Sequence, residues 1–284
     1  RREAEDAGKT VIVSLENRCL LPVVLRSSFV HGIYADSSCY TREELWTALS
    51  EDAKEAHLAG KKFYYILPAV FRNRTAAFYR ENIERLKALP LDGFVTKSYD
   101  AAAFVRQELG DEPPLILDHS LYTWNSASWD VFLQLAPKRD TVPLELNRSE
   151  LFARDNHHSE AMVYGYLPLM TSAQCVHANT EKCDRKRGIL YLKDRYGKYF
   201  PVKNNCMECY NTIYNTTPLM LFGYGKELQK ADFSNFRLNF TVESEEEVRQ
   251  ILAIYETVFY EGRKNLADVY QGEYTNGHYK RGVE

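Results

Sequence analysis

Cys175, Cys183, Cys206 and Cys209 follow the pattern C-x7-C-x22-C-x2-C in a chain that holds 6 cysteines in all. Thiolates gathered in this way suit a soft metal, either tetrahedral zinc or an iron–sulfur cluster. The first pair is spaced more widely than the short C-x-x-C pairs of most zinc fingers, which leans toward a cluster, and His177 is close enough to replace one sulfur. Spacing leaves both metals open, and the plain alternative is a set of reduced thiols. Cys39, just past the second apolar run, reads as a reserve ligand or a surface thiol. Cys19, in Cys19-Leu-Leu-Pro-Val-Val, reads as core.

A second group could move protons. Asp118 and His119 end one apolar run, and Glu145 sits in the next. Carboxylate and imidazole groups at strand ends are what a barrel site uses for acid–base work. Lys97 and Arg72 end or follow earlier runs and suit an anionic substrate. Lys182, Arg185, Lys186 and Arg187 form a basic loop that could meet phosphate, although such a run is more often a solvated face. Tyr191, Tyr196 and Tyr199 lie near it. His157 and His158 with Glu160 look like a metal cluster, but adjacent side chains diverge, so a surface turn is the better reading. His278 in the tail is a candidate to return to the site. No GxSxG elbow, HExxH helix or Gly-rich phosphate fingerprint is present.

These residues need elements to hold them. Apolar runs at 11–15, 32–38, 63–69, 93–98, 115–120, 141–147, 162–168 and 237–243 read as strands buried on both faces. Helical signals fall between them. Thr41-Arg-Glu-Glu44 is a capping box, with Leu45, Leu49, Ala53 and Ala56 spaced as one face behind it and a stop near Gly60. A second box, Ser244-Glu-Glu-Glu247, opens a helix with Val248, Ile251, Leu252 and Tyr255 on one side. Shorter helices follow Asn73 and cover 101–109 and 129–135. Eight strands interleaved with helices predict an α/β chain closed as a (β/α)8 TIM-like barrel; an open doubly wound sheet is the runner-up.

One interval is oversized, between the seventh and eighth strands, and it holds all four clustered cysteines. Ile189–Asp194 and Lys198–Val202 around Gly197 predict a β-hairpin there. The expected organisation is one barrel domain over residues 1–284, with a Cys-rich metal-binding insertion at 170–217. The net charge of −3 gives no global basic footprint for nucleic acid. No apolar run is long enough to span a membrane, and no secretory signal opens the chain, so a cytoplasmic setting is expected. With no initiator Met, the chain reads as cut from something longer.

The sequence resembles the collagenase-like peptidase family of unknown catalytic type. The residues that carry the likeness are Gly165-Tyr-Leu-Pro-Leu-Met170, Ser172-Ala-Gln-Cys175, Leu192-Lys-Asp-Arg195, Phe200-Pro-Val202, Cys206 and Ile213-Tyr-Asn215. The tail Tyr274-Thr-Asn-Gly277-His278-Tyr-Lys-Arg281-Gly282 is similar to the family's ending. Asp118-His-Ser120 with Asn125, and Glu145-Leu-Asn147, resemble its fifth- and sixth-strand motifs, which adds Asn147 to the substrate-binding candidates. The resemblance implies a barrel with its active-site loops at the strand C-termini, as a C-terminal module beside an N-terminal barrel module. It also implies one of two activities. One is peptide hydrolysis. The other is oxygen-independent hydroxylation of RNA or another aromatic substrate by members that hold a four-iron, four-sulfur cluster on four cysteines. The second cysteine pair departs from those members, which sets Cys39 against Cys209 as fourth ligand. The leading expectation is the redox enzyme, with a peptidase and a non-catalytic module stapled by zinc as alternatives.

Overall fold

In the computed structural model, residues 9–180, 183, 188–261 and 270–283 are described. Eight parallel strands close into a barrel. They are β1 (Thr10–Leu15), β2 (Gly32–Asp36), β3 (Lys62–Ile66), β4 (Gly93–Thr96), β5 (Leu115–Leu117), β6 (Arg139–Thr141), β7 (Ser159–Gly165) and, last in the chain, β13 (Asn235–Phe240). β13 pairs with both β7 and β1, so the ring has no open edge and the open-sheet alternative is ruled out.

Period-2 alternation sorts the side chains. Val11, Val13 and Leu15 face the surrounding helices, while Ile12 faces inward. Ile12, Tyr34, Tyr64, Ile66, Val95 and Ile116 fill the lower barrel as one apolar cluster. Two or four positions further along the same strands, the inward residues turn polar: Glu16, Asp36, Lys97 and Asp118. The apolar floor thus supports a charged upper layer, with the charges at the C-terminal ends.

Between β7 and β13 lies a separate four-stranded antiparallel sheet. Its strands are β8 (Pro168–Ser172), β9 (Ile189–Lys193), β10 (Tyr199–Asn205) and β11 (Tyr210–Tyr214), in the order β8-β11-β10-β9. The pair β9–β10 turns through Gly197 at φ +82°, a conformation glycine adopts without strain. A short β12 (Leu219–Met220) pairs with the end of β7.

Helices Leu45–Leu58, Asn73–Glu81, Tyr99–Leu109 and Glu245–Ile254 lie among those around the barrel. Both expected capping boxes form: Thr41 with Glu44, and Ser244 with Glu247. Two expectations need correction. The sixth strand is Arg139–Thr141, not 141–147, because buried Asp140 is ion-paired with Arg154 there, while Asn147 already caps the next helix. Cys19 is exposed rather than core, since it lies in a single 3-10 turn capped by Asn17. No helix among the described residues is long and apolar enough to cross a membrane.

Candidate active site at the barrel mouth

The inward ends of the barrel strands and one face of the four-stranded sheet enclose a cavity of about 330 Å3. Glu16, Asp36, Lys97, Asp118, His119, Arg237 and Asn239 come from the barrel. Thr171, Asn205, Tyr210, Thr212 and Tyr214 come from the sheet. The last three alternate along β11, so one edge of the pleat faces the mouth.

Its charges form two linked sets. Lys97 Nζ lies 2.7 Å from Asp36 Oδ2 and 3.6 Å from Glu16 Oε1. Glu16 Oε2 also accepts from Lys203 Nζ at 3.2 Å and from the Tyr214 hydroxyl at 2.5 Å, both on the sheet. Lys203 donates further to Ser38 Oγ at 2.8 Å. Deeper in, Arg237 is 1% exposed. Its guanidinium meets Asp118 Oδ1 at 2.6 Å and Glu160 Oε1 at 3.1 Å. Glu160 accepts from the Tyr34 and Thr141 hydroxyls as well, each at 2.8 Å.

Electrostatics follow from the pairing. Burial alone would raise the Asp36 and Asp118 carboxyls, but Lys97 and Lys203 hold the first below its ordinary value and Arg237 holds the second there. Burial works against charge on Lys97, yet Asp36 and Glu16 keep it firmly protonated. His119 is pushed down by burial, with Asp118 opposing, so its imidazole is neutral near pH 7. Asp118 Oδ2 is buried with no hydrogen-bond partner among the described residues. An imidazole held neutral in a walled cavity suits accepting a proton from a bound group.

A second cavity of about 360 Å3 adjoins the first and is lined by all four clustered cysteines, with Arg42, Arg72 and Arg74 on its rim. Asn205 and Tyr210 line both cavities. The thiols share one space, but among the described residues no three His, Cys, Asp or Glu side chains are grouped closely enough to hold a metal ion. Donor chemistry and shared lining fit a soft metal centre; the sulfurs are not drawn together as a finished ligand set. Cys209 takes a left-handed backbone, φ 57°, uncommon for a non-glycine residue.

The candidates separate accordingly. Asp118, His119 and Lys97 meet in the barrel mouth, and Arg72 lies on the cysteine cavity. Glu145 lines neither, although its charge bears on His119. Asn147 is a helix N-cap: its side chain accepts from Glu150 N at 3.1 Å, and Glu150 accepts from its backbone at 2.8 Å. Asn147 lines neither cavity. Cys39, the reserve ligand, does not line the cysteine cavity. It is buried, its thiol contacts the Leu15 carbonyl at 3.3 Å, and burial pushes that thiol well up. His177 does not line the cysteine cavity. His157 lies exposed between Asp155 and Asp232, and His158 stacks on Trp129. His278 bonds the Gly282 carbonyl, away from the mouth. The basic loop of Lys182, Arg185, Lys186 and Arg187 lies outside the described residues.

Sequence reading missed Glu16, Asp36, Lys203, Tyr210, Tyr214 and Arg237. Glu16 and Asp36 had a visible signal: each is an acid at or just past the C-terminal end of an apolar strand, as Asp118 is.

Peptidase family U32 matches residues 40–281 of the chain. The chain belongs to this family. The U32 match covers the cysteine region and the tail, where the sequence resemblance was most specific. No curated protein matches. Among solved structures, the chain is similar to an uncharacterized B. cereus protein at 12% identity and a TM-score of 0.44. The match covers 86% of this chain and 64% of that one, so the chain spans less than two thirds of that protein's length.

Proposed function

We propose that this U32 chain is a redox-type modification enzyme, carrying out hydroxylation of an RNA or another aromatic substrate. The observation that carries the reading is the common lining: Cys175, Cys183, Cys206 and Cys209 face one cavity, and its wall of Asn205 and Tyr210 is also the wall of the charged mouth. Those four cysteines would hold an iron–sulfur cluster, with zinc the second choice. Residues 170–217 are then the metal-binding part of a single barrel domain, in a cytoplasmic protein. A bound cluster supplies one-electron chemistry next to the barrel mouth. His119 takes or returns a proton, Asp118 stays ionised against Arg237, and Lys97 stays charged behind them. Arg72 and Arg74, exposed on the cavity rim, suit an anionic substrate.

Anaerobically purified protein should be brown, absorb near ~400 nm and contain iron and sulfide. Colourless protein with stoichiometric zinc overturns the cluster. A peptidase reading is favoured by one observation, His119 and the buried Asp118 carboxylate lining the same mouth. Peptide-library cleavage that disappears in His119→Ala would move the assignment there.

A further inference from the structure

The Cys206–Cys209 loop carries an acid between its two thiols, and that acid is tied to the barrel. Glu208 Oε1 accepts from Arg42 Nη2 at 3.1 Å, and Oε2 accepts from the Thr75 hydroxyl. The carboxylate is almost fully covered, its side chain 7% exposed. Its anchors are fixed in turn. Arg42 lies over the Phe78 ring, 4.6 Å from its centre, and Phe78 stacks on Trp46 at 5.8 Å. Thr75 is 1% exposed in the helix Asn73–Glu81. Neither anchor belongs to the four-stranded sheet. Arg42 precedes the helix after β2, and Thr75 sits in the helix after β3.

The loop has a reason to need such a tie. Cys209 holds a left-handed backbone, which is strained for a non-glycine residue and persists only where the surroundings dictate it. Across the turn, the Glu208 N–H donates to the Asn205 carbonyl at 3.3 Å. A buried ion pair adds little net stability over an apolar contact of the same shape. What this one contributes is register: it fixes where the thiols of Cys206 and Cys209 stand on the barrel rim.

We propose that Glu208 is a positioning residue that seats the Cys206/Cys209 pair, and that the affinity of the cysteine cavity for a soft metal depends on its carboxylate. The proposal rests on the metal-centre reading above, and its test separates the two. Co2+ is titrated into metal-free protein under anaerobic conditions and followed by thiolate-to-metal absorbance. Iodoacetamide labelling of Cys206 and Cys209 in the same metal-free protein is followed by mass spectrometry, with buried Cys39 as internal reference.

Glu208→Ala should bind Co2+ about 10- to 100-fold more weakly, as expected when a residue supporting metal ligands is removed. Its Cys206 and Cys209 should label several-fold faster, with Cys39 labelling unchanged. Glu208→Gln, which keeps hydrogen bonds but not charge, should fall between. Co2+ affinity within twofold of wild type, with unchanged labelling, overturns the proposal. So does a weakened affinity accompanied by a lower melting temperature and faster Cys39 labelling, since that marks general loosening. If wild type takes up no Co2+, the metal reading fails, and unchanged labelling then overturns the positioning role too. Should Glu208→Ala not fold, Arg42→Met removes the same tie from the barrel side and is judged by the same two measurements.

Discussion

Arg237 lies in the middle of an apolar strand and bridges Asp118 and Glu160, residues far from it in sequence. All three are essentially out of solvent. Removing one member of such a set leaves uncompensated buried charge, which costs about 3–5 kcal/mol. Arg237→Met should therefore lower stability by about that amount in chemical denaturation. The loss should shrink in acid, because the released carboxylates can then be neutralised. The sign follows from Asp118. Its carboxyl is held below its ordinary value in the folded protein, so its contribution is complete above the unfolded carboxylate range and fades as pH falls through the folded value. A variant as stable as wild type at pH 7 would contradict this account. The role of Arg237 was not legible beforehand. A charged residue at the start of an apolar run reads as a strand boundary, and only barrel closure sets it beside Asp118.

Most elements were readable because burial on both faces leaves near-continuous apolar runs. β1 to β5, β7 and β13 overlap the expected segments. β6 was misplaced for a physical reason. Arg139-Asp140-Thr141 is polar, its Asp140 satisfied by Arg154, Ser159 and Thr123, whereas Val142, Leu144 and Leu146 just after it alternate like a strand. Asn147 joined the site candidates through the resemblance of Glu145-Leu-Asn147 to a sixth-strand motif. As the first cap of the helix Arg148–Ala153 it has a different task, and the two tasks predict different outcomes. Asn147→Ala should cost about 1 kcal/mol in thermal or chemical unfolding and leave substrate affinity unchanged. Weakened binding without loss of stability would restore it to the site.

At the scale of the whole molecule, the sheet covers the mouth and is fastened to it through Glu16. Lys203 and Tyr214 converge on that one carboxylate, so the wall of the cavity depends on contacts between residues nearly 200 positions apart. Lys203→Met should loosen the sheet selectively: amides of β8 to β11 should exchange faster, while those of β1 to β5 keep their protection. Equal protection in both forms would mean that packing alone seats the sheet.

The closed ring also governs the order in which this chain can fold. β1 takes one of its two neighbours from β13, which is synthesised more than two hundred residues later. Until then β1 and β7 each present a row of unpaired backbone groups, the kind of edge that recruits other chains. The intervening sheet must leave room for the last strand to enter. Closure is therefore a late, long-range step of high contact order, and slow by nature. During synthesis the nascent barrel is at its most aggregation-prone just before residues 235–240 emerge.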